Sequence, residues 1–191
     1  MPYIDVHNSL PGIRGLMAFR PETAVPLSDL ANVLLRDKEG LSPAERELIA
    51  TRVSYLNDCF YCHQSHGAIA CHYLDGDEDL VQQVRTDYQQ AAISEKLKAL
   101  LKIASKVQQG GKAVTAADIE QARNEGASDR DIHDTVLIAA AFCMFNRYVD
   151  GLGALTPRDL STYQPRAKQV AEQGYGSHIY SSQQPVKQEK I

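Results

Sequence analysis

LSPAERELIATRVSYLNDCFYCHQSHG, residues 41 to 67, predicts two helices joined by a short turn. Ser42 is a typical helix N-cap, and Pro43 suits the first helical position because its missing N–H would have no partner there. Glu45 lies three residues after the cap, which predicts a capping box. The break at Asn57 and Asp58 lets the chain fold back along itself. We therefore expect a helical hairpin.

Two cysteines and a histidine share one face of the second helix, which we expect over about residues 58 to 73. Cys59, Cys62 and His66 are three, four and seven positions apart, the spacings that place side chains together on a helix. The helix N-terminus favours a thiolate, and a histidine one turn further on can take the proton from Cys62. The pattern indicates a reactive thiol, although a metal half-site or two packed core cysteines would use the same residues.

A carboxylate on the first helix completes this group of residues. Glu47 precedes Cys59 by twelve positions, and folding of the hairpin can bring its side chain towards His66. A carboxylate beside an imidazole orients the ring and raises its basicity, as in other arrangements of nucleophile, base and orienting group. The sequence permits this geometry without requiring it.

The rest of the chain is helical in pattern, and no segment alternates like a β-strand. Residues 129 to 150 are apolar nearly all round, which predicts a buried central helix or one shared with another subunit. Residues 1 to about 25 contain prolines and glycines without sustained periodicity, so we expect an irregular N-terminal arm. Together these features predict an all-α fold with a single helical domain over residues 1 to 160.

Residues 161 to 191 form a polar C-terminal tail. We expect this tail either to be disordered or to pack on a neighbouring subunit. In the second case four apolar or aromatic residues would anchor it, since an ordered terminus has to be tied down. These are Tyr163, Tyr175, Ile179 and Tyr180.

Composition narrows the range of functions. The 191 residues are 43% hydrophobic and carry a net charge of −4, with no basic cluster, so we expect no nucleic-acid partner. No run approaches the roughly 20 apolar residues of a membrane helix, and no signal sequence is recognisable. We expect a cytoplasmic protein, where a close cysteine pair is more often catalytic or metal-binding than structural.

The spacing of Glu47, Cys59-x-x-Cys62 and His66 resembles the motif of the AhpD-like alkylhydroperoxidase family, within the carboxymuconolactone decarboxylase superfamily. With AAFCMFNRYVDGLG at residues 140 to 153, the sequence is most similar to the peroxidase-related branch. The resemblance covers roughly residues 27 to 155. It implies an AhpD-like helical bundle whose CxxC pair begins a helix of a hairpin.

The resemblance also implies an activity. AhpD-like proteins are thiol-dependent peroxidases without a cofactor, which reduce organic hydroperoxides or hydrogen peroxide and are re-reduced by a dithiol or a protein. By this resemblance Cys62 attacks the peroxide, Cys59 resolves the sulfenic acid, and His66 with Glu47 relays protons. It also implies a homo-oligomer, a trimer or a hexamer. The chain has Tyr61 where the best-known members have a histidine, which leaves the relay and the electron donor open.

Other interpretations use the same residues. A non-enzymatic redox sensor would need only the cysteine pair, and a zinc-bound assembly module would use the pair with His66 and Glu47 as ligands. A decarboxylase-like activity, found elsewhere in the superfamily, is disfavoured because those members generally lack the CxxC pair. We expect His63 to be solvated.

Three further groups have structural explanations. Cys143 is interpreted as a packed thiol, and Cys71 as a core or surface residue. Asn146, Arg147 and Asp150 are interpreted mainly as structural hydrogen-bonding groups near the end of the apolar helix.

Overall fold

A computed structural model describes residues 2–176, and these residues form nine α-helices and no β-strand. The all-α fold predicted from the sequence is therefore confirmed. The helices are α1 (Ile13–Phe19), α2 (Pro21–Arg36), α3 (Pro43–Leu56), α4 (Phe60–Tyr73), α5 (Glu78–Asp87), α6 (Glu95–Gln109), α7 (Ala116–Asn124), α8 (Asp129–Gly151) and α9 (Gln164–Gln173). Two short 3₁₀ turns, Gly111–Ala113 and Leu160–Thr162, connect α6 to α7 and α8 to α9.

Helices α3 and α4 form the predicted hairpin and pack along each other. Ser42 accepts a hydrogen bond from the backbone of Glu45, whose carboxylate accepts one in return from the backbone of Ser42. The second helix begins slightly later than predicted. Asp58 has a left-handed backbone with φ of 56° and cannot act as N-cap, so Cys59 takes that place.

The main core lies between α3, α6 and α8. Helix α8 is the longest and runs through the middle of the domain, as the apolar stretch predicted. It buries Ile138, Phe142 and Phe145 on one side. Leu137 and Met144 remain exposed on the other side, so this helix is not buried all round. The hairpin of α3 and α4 thus packs on this core through α3.

The N-terminal region is more ordered than the sequence predicts. Helix α1 and the start of α2 occupy residues that we expected to be irregular, which limits the irregular segment to residues 2–12. The prolines do not exclude a helix here. Pro21 lies in the first turn of α2, where its missing N–H removes no hydrogen bond of the helix. Pro26 lies within the same helix.

The C-terminal segment packs on its own chain as far as the structure describes it. Helix α9 buries Ala167 and Val170 against Ile69 of α4. Tyr163 and Tyr175, proposed above as anchors on another subunit, therefore make intramolecular contacts. Ile179 and Tyr180 lie outside the described residues.

Within residues 2–176, no helix combines the length and the apolar character needed to cross a membrane. Several large apolar side chains are exposed on the isolated chain, among them Phe19, Val33 and Met144. A homo-oligomer stays a prediction.

Candidate active site

The centre of the site is a hydrogen bond between the two helices of the hairpin. His66 Nδ1 on α4 lies 2.7 Å from Glu47 Oε2 on α3. The Glu47 side chain is 1% exposed, so its carboxylate has no access to bulk water. Donation from Nδ1 to this carboxylate leaves Nε2 as the proton acceptor of the ring. The edge of the Phe142 ring packs against the imidazole, with centroids 4.6 Å apart, and holds it in place.

A tyrosine from the C-terminal segment joins this pair. The Tyr175 hydroxyl donates to Glu47 Oε1 over 2.5 Å, and its oxygen lies 3.2 Å from His66 Nδ1. The two rings are stacked, with centroids 5.9 Å apart. Burial and the nearby Glu47 carboxylate raise the pKa of Tyr175 well above its ordinary value. Tyr175 therefore stays protonated and acts as a fixed hydrogen-bond donor.

Side chains of α2 hold the segment that carries this tyrosine. The Asn32 amide donates to the carbonyl of Tyr175 and accepts from its N–H, at 2.9 and 2.8 Å. Arg36 donates to the carbonyls of Val170 and Ala171 in the last turn of α9. These contacts fix the backbone on both sides of Gly174.

The two cysteines lie at the start of α4 and differ in exposure. Cys59 is fully buried, whereas Cys62 is 4% exposed and lines a cavity. The neighbouring Cys62 side chain and burial together strongly raise the pKa of Cys59. Both thiols are free. Cys59 therefore stays protonated, and the Cys62 sulfur is the one that faces the cavity.

Asp150, near the end of α8, reaches the same cysteine. Its carboxylate also raises the pKa of Cys59. Partial burial of the carboxyl and the neighbouring Asp58 raise the pKa of Asp150, and the Cys59 thiol in turn lowers it in part. We interpreted this residue mainly as a structural group, but the structure places it next to the thiol that does not face the cavity.

The cavity beside Cys62 has a volume of about 140 Å³ and is partly open to solvent. Its wall is built from α1, α2, α4, α8, α9 and the two ends of the described chain. Most of the lining is apolar, from Ile13, Met17, Leu27, Ala31, Ile69, Phe142, Phe145, Ala167 and Val170. The polar groups are Cys62, Ser65, His66, Tyr175 and two arginines, Arg14 and Arg166, among others. A small apolar molecule therefore fits within reach of the thiol.

Tyr61 forms part of this wall and is 8% exposed. Its ring packs against Tyr163, with centroids 5.9 Å apart, and burial raises the pKa of its hydroxyl. The N-terminal segment closes over it, since a Cβ on Gly12 would lie only 2.0 Å from the Tyr61 ring. Gly12 also has φ of 57°, a conformation that favours glycine. Both the close approach of the Tyr61 ring and this backbone conformation therefore require glycine at this position.

His63 is buried rather than solvated, which corrects our expectation. It is 8% exposed and lies between the rings of Tyr55 and Phe60. Because α4 packs on α3 and is approached by α5, the side of α4 that faces away from the cysteines is also covered. Its Nδ1 is buried without a hydrogen-bond partner.

The other candidates have packing or hydrogen-bonding roles. Cys71 is buried in the main core, and burial raises the pKa of its thiol. Cys143 is half-buried near the Asn57 amide, 3.6 Å away. Asn146 bridges Asn57 and Ser54 by hydrogen bonds of 2.8 and 3.1 Å, as a structural group would.

The geometry offers little to a metal ion. In the part of the chain from residue 2 to residue 176, no three His, Cys, Asp or Glu side chains are grouped so that they could hold one. Glu47 and His66 are already bonded to each other, and Cys59 is fully buried. The zinc interpretation therefore lacks a ligand set here.

Sequence reasoning missed three contributors to the site, Tyr175, Arg14 and Arg166. They come from segments interpreted as a polar tail and an irregular arm, which have no motif and lie far from the cysteines in sequence. The sequence predicts Tyr175 as an anchor of the tail on a neighbouring subunit and not as part of the site. An aromatic residue in an otherwise polar segment is the one sequence signal that this segment is packed.

Comparison with known proteins agrees with this geometry. Residues 21–86 match the family model described as the carboxymuconolactone decarboxylase family. A crystal structure of an alkylhydroperoxidase AhpD core, an uncharacterized peroxidase-related protein from Ralstonia eutropha JMP134, is 30% identical, with a TM-score of 0.72 and 79% of each chain covered. An uncharacterized peroxidase-related protein from Silicibacter sp. TM1040 is 31% identical, with a TM-score of 0.72 over 81% of this chain and 78% of that one. No protein with a curated functional description matches the sequence.

Proposed function

This chain belongs to the carboxymuconolactone decarboxylase superfamily, among its AhpD-like, peroxidase-related members, and we propose that it is a thiol peroxidase. In this proposal it reduces organic hydroperoxides or hydrogen peroxide through a dithiol–disulfide cycle of Cys59 and Cys62. The observation that carries the proposal is the 2.7 Å contact between His66 and the buried Glu47, on the wall of the cavity that Cys62 lines.

The first step is attack of the Cys62 thiolate on the peroxide. His66 takes the Cys62 proton at Nε2, and the Glu47 carboxylate stabilises the imidazolium that results. The sulfur then bonds to the terminal oxygen of R–OOH, and the O–O bond breaks. The leaving alkoxide RO⁻ receives the proton from His66, so that ROH and Cys62–SOH are formed.

Tyr175 holds the geometry of this relay. Its hydroxyl bonds to Glu47 Oε1 while His66 bonds to Oε2, so the carboxylate cannot rotate away from the imidazole. Tyr175 is thus a positioning residue that acts through Glu47. The three side chains come from α3, α4 and the segment after α9.

The second step forms the disulfide. The Cys59 sulfur attacks the sulfur of Cys62–SOH, the S–O bond breaks, and the hydroxyl leaves as water after accepting a proton. The Cys59 thiol supplies that proton, and in this proposal the neighbouring Asp150 carboxylate accepts it and passes it on. An external dithiol then reduces the disulfide and returns both cysteines to thiols.

The proposal is tested with cysteine variants assayed for hydroperoxide reduction with dithiothreitol as the electron donor. Cys62→Ser and Cys59→Ser are each expected to abolish turnover. Only the Cys59→Ser variant should accumulate a sulfenic acid that dimedone traps, on Cys62. Cys71→Ser is the matched control, since Cys71 lies on the same helix and is equally buried, and it should retain activity.

Turnover that survives in both variants would reject the mechanism. A dimedone adduct on Cys59 in the Cys62→Ser variant would reverse the assignment of the two thiols. A disulfide that forms with peroxide but supports no turnover with any small dithiol would identify a redox sensor instead.

A further inference from the structure

Two arginines line the cavity without an acidic partner. Arg14 on α1 and Arg166 on α9 both lie on its wall, and neither forms an ion pair with any Asp or Glu of residues 2–176. Arg14 Nε is buried and has no hydrogen-bond partner. Arg166 donates to the Gln169 side chain over 2.8 Å.

Two like charges on a largely apolar wall are an unfavourable arrangement by themselves. Burial lowers the pKa of Arg166, and the positive charge of Arg14 lowers it further, so the two guanidinium groups repel each other. Partly buried cations in folded proteins are normally paired. An anion that bonds to both guanidinium groups would offset the desolvation and the repulsion together.

The cation pair is close to the reactive thiol. Arg14, Arg166 and Cys62 all line this one cavity, and Tyr61 lies on the same wall. The remainder of the wall is apolar. An apolar cavity of about 150 Å³ holds a molecule of roughly the size of benzene. The cavity in this protein has a similar volume, about 140 Å³.

We propose that the cavity binds an apolar carboxylate, with the carboxylate held by Arg14 and Arg166 and the hydrocarbon against the apolar wall. This inference rests on the proposed function and specifies its substrate class. The substrate is an organic hydroperoxide that bears a carboxylate and whose hydrocarbon part, of about six carbons, lies in the cavity. Its O–O bond breaks at Cys62 as described above, and the carboxylate takes no part in the chemistry.

Binding is measured first, without any peroxide. Isothermal titration calorimetry compares octanoate with octanamide, which has the same chain but no charge, on the reduced full-length protein. Octanoate is expected to bind more tightly. Arg14→Gln and Arg166→Gln should each weaken octanoate binding by about tenfold or more, and octanamide binding should change much less.

Arg123→Gln is the matched control. It removes one positive charge from α7, where Arg123 is exposed and paired with Asp129, away from the cavity. Its affinity for octanoate should equal that of the unaltered protein. Thermal melting of each variant separates lost binding from lost folding, and glutamine keeps a donor at each position.

Peroxidase assays then compare a carboxylate-bearing hydroperoxide with its neutral amide. The ratio of their kcat/KM values should favour the carboxylate and fall by about tenfold or more in either arginine variant that folds. Equal affinity for octanoate and octanamide, or octanoate binding unchanged in both variants, would overturn the inference. Octanoate binding that depends on the arginines, in a protein without peroxidase activity, would support the anion site and reject only the proposed function.

Discussion

Helix α4 carries a buried histidine, His63, and a partly buried one, His66, three residues apart, and their surroundings are opposite. His66 faces the cavity and bonds to a buried carboxylate and a tyrosine hydroxyl. His63 lies between two aromatic rings, with Nδ1 unpaired and the Arg85 guanidinium nearby. One imidazole is equipped to take and give a proton, whereas the other is held neutral.

The difference shows that burial alone does not give a histidine a chemical role. Burial and the charge of Arg85 lower the pKa of His63 to about 4, and Asp58 only partly opposes them. At neutral pH His63 is therefore an uncharged packing residue. For His66 the deciding feature is Glu47, one helix away, which supplies the negative charge that an imidazolium needs. Three substitutions test this contrast.

The largest effect is expected from Glu47→Gln. Loss of the carboxylate removes the charge that stabilises the His66 imidazolium, so kcat/KM for peroxide should fall by about a hundredfold to a thousandfold. Steady-state kinetics measures this. Glu45→Gln is the control, because Glu45 belongs to the exposed capping box of the same helix, and it should change activity little. Equal losses in both variants would mean that the effect comes from α3 stability.

A smaller effect is expected from Tyr175→Phe. This variant keeps the ring stacked on His66 but removes one of the two hydrogen bonds to Glu47, so kcat/KM should fall by about tenfold. The loss should appear in kcat rather than in KM, because Tyr175 acts on the relay through Glu47 and the phenyl ring keeps the cavity wall intact. A purely structural role would instead lower the melting temperature and leave kcat per folded molecule unchanged. Tyr88→Phe, in the main core, is the control.

The smallest effect on activity is expected from His63→Phe, which should stay within about twofold of the unaltered protein. Its effect on stability depends on pH. The unfolded chain binds a proton at His63 below pH 6.5, whereas the folded chain does so only near pH 4, so the native protein loses stability as the pH falls through this window.

That loss should amount to about 2 to 3 kcal/mol by pH 4. Urea unfolding at several pH values measures it, and His63→Phe should remove this part of the pH dependence. A slope between pH 6.5 and 4 that is identical in the variant would show that His63 is accessible to protons in the folded state.

The sequence predicts the hairpin and the grouping of its side chains well, because both depend on local rules. The capping box at Ser42 and the spacing of Cys59, Cys62 and His66 follow from helix geometry alone. The contact between Glu47 and His66 required only that two adjacent helices pack against each other.

Contacts between distant segments are not encoded in such local patterns. Tyr175 reaches Glu47 because Asn32 and Arg36 hold the segment after α9, and no periodicity indicates this. Arg14 enters the cavity wall because α1 forms despite nearby prolines. His63 is buried because neighbouring aromatic rings cover it, which a helical wheel of α4 does not show.

The late position of Tyr175 has a consequence for how the site is assembled during synthesis. A ribosome adds this residue 109 positions after His66, when the thiols, the imidazole and the carboxylate have long been synthesised. A nascent chain or a C-terminally clipped product that ends before Tyr175 thus carries the whole CxxC motif without the phenol that bonds to Glu47. The hydrogen bonds around the Glu47 carboxylate are therefore complete only after α9 and Tyr175 have been synthesised.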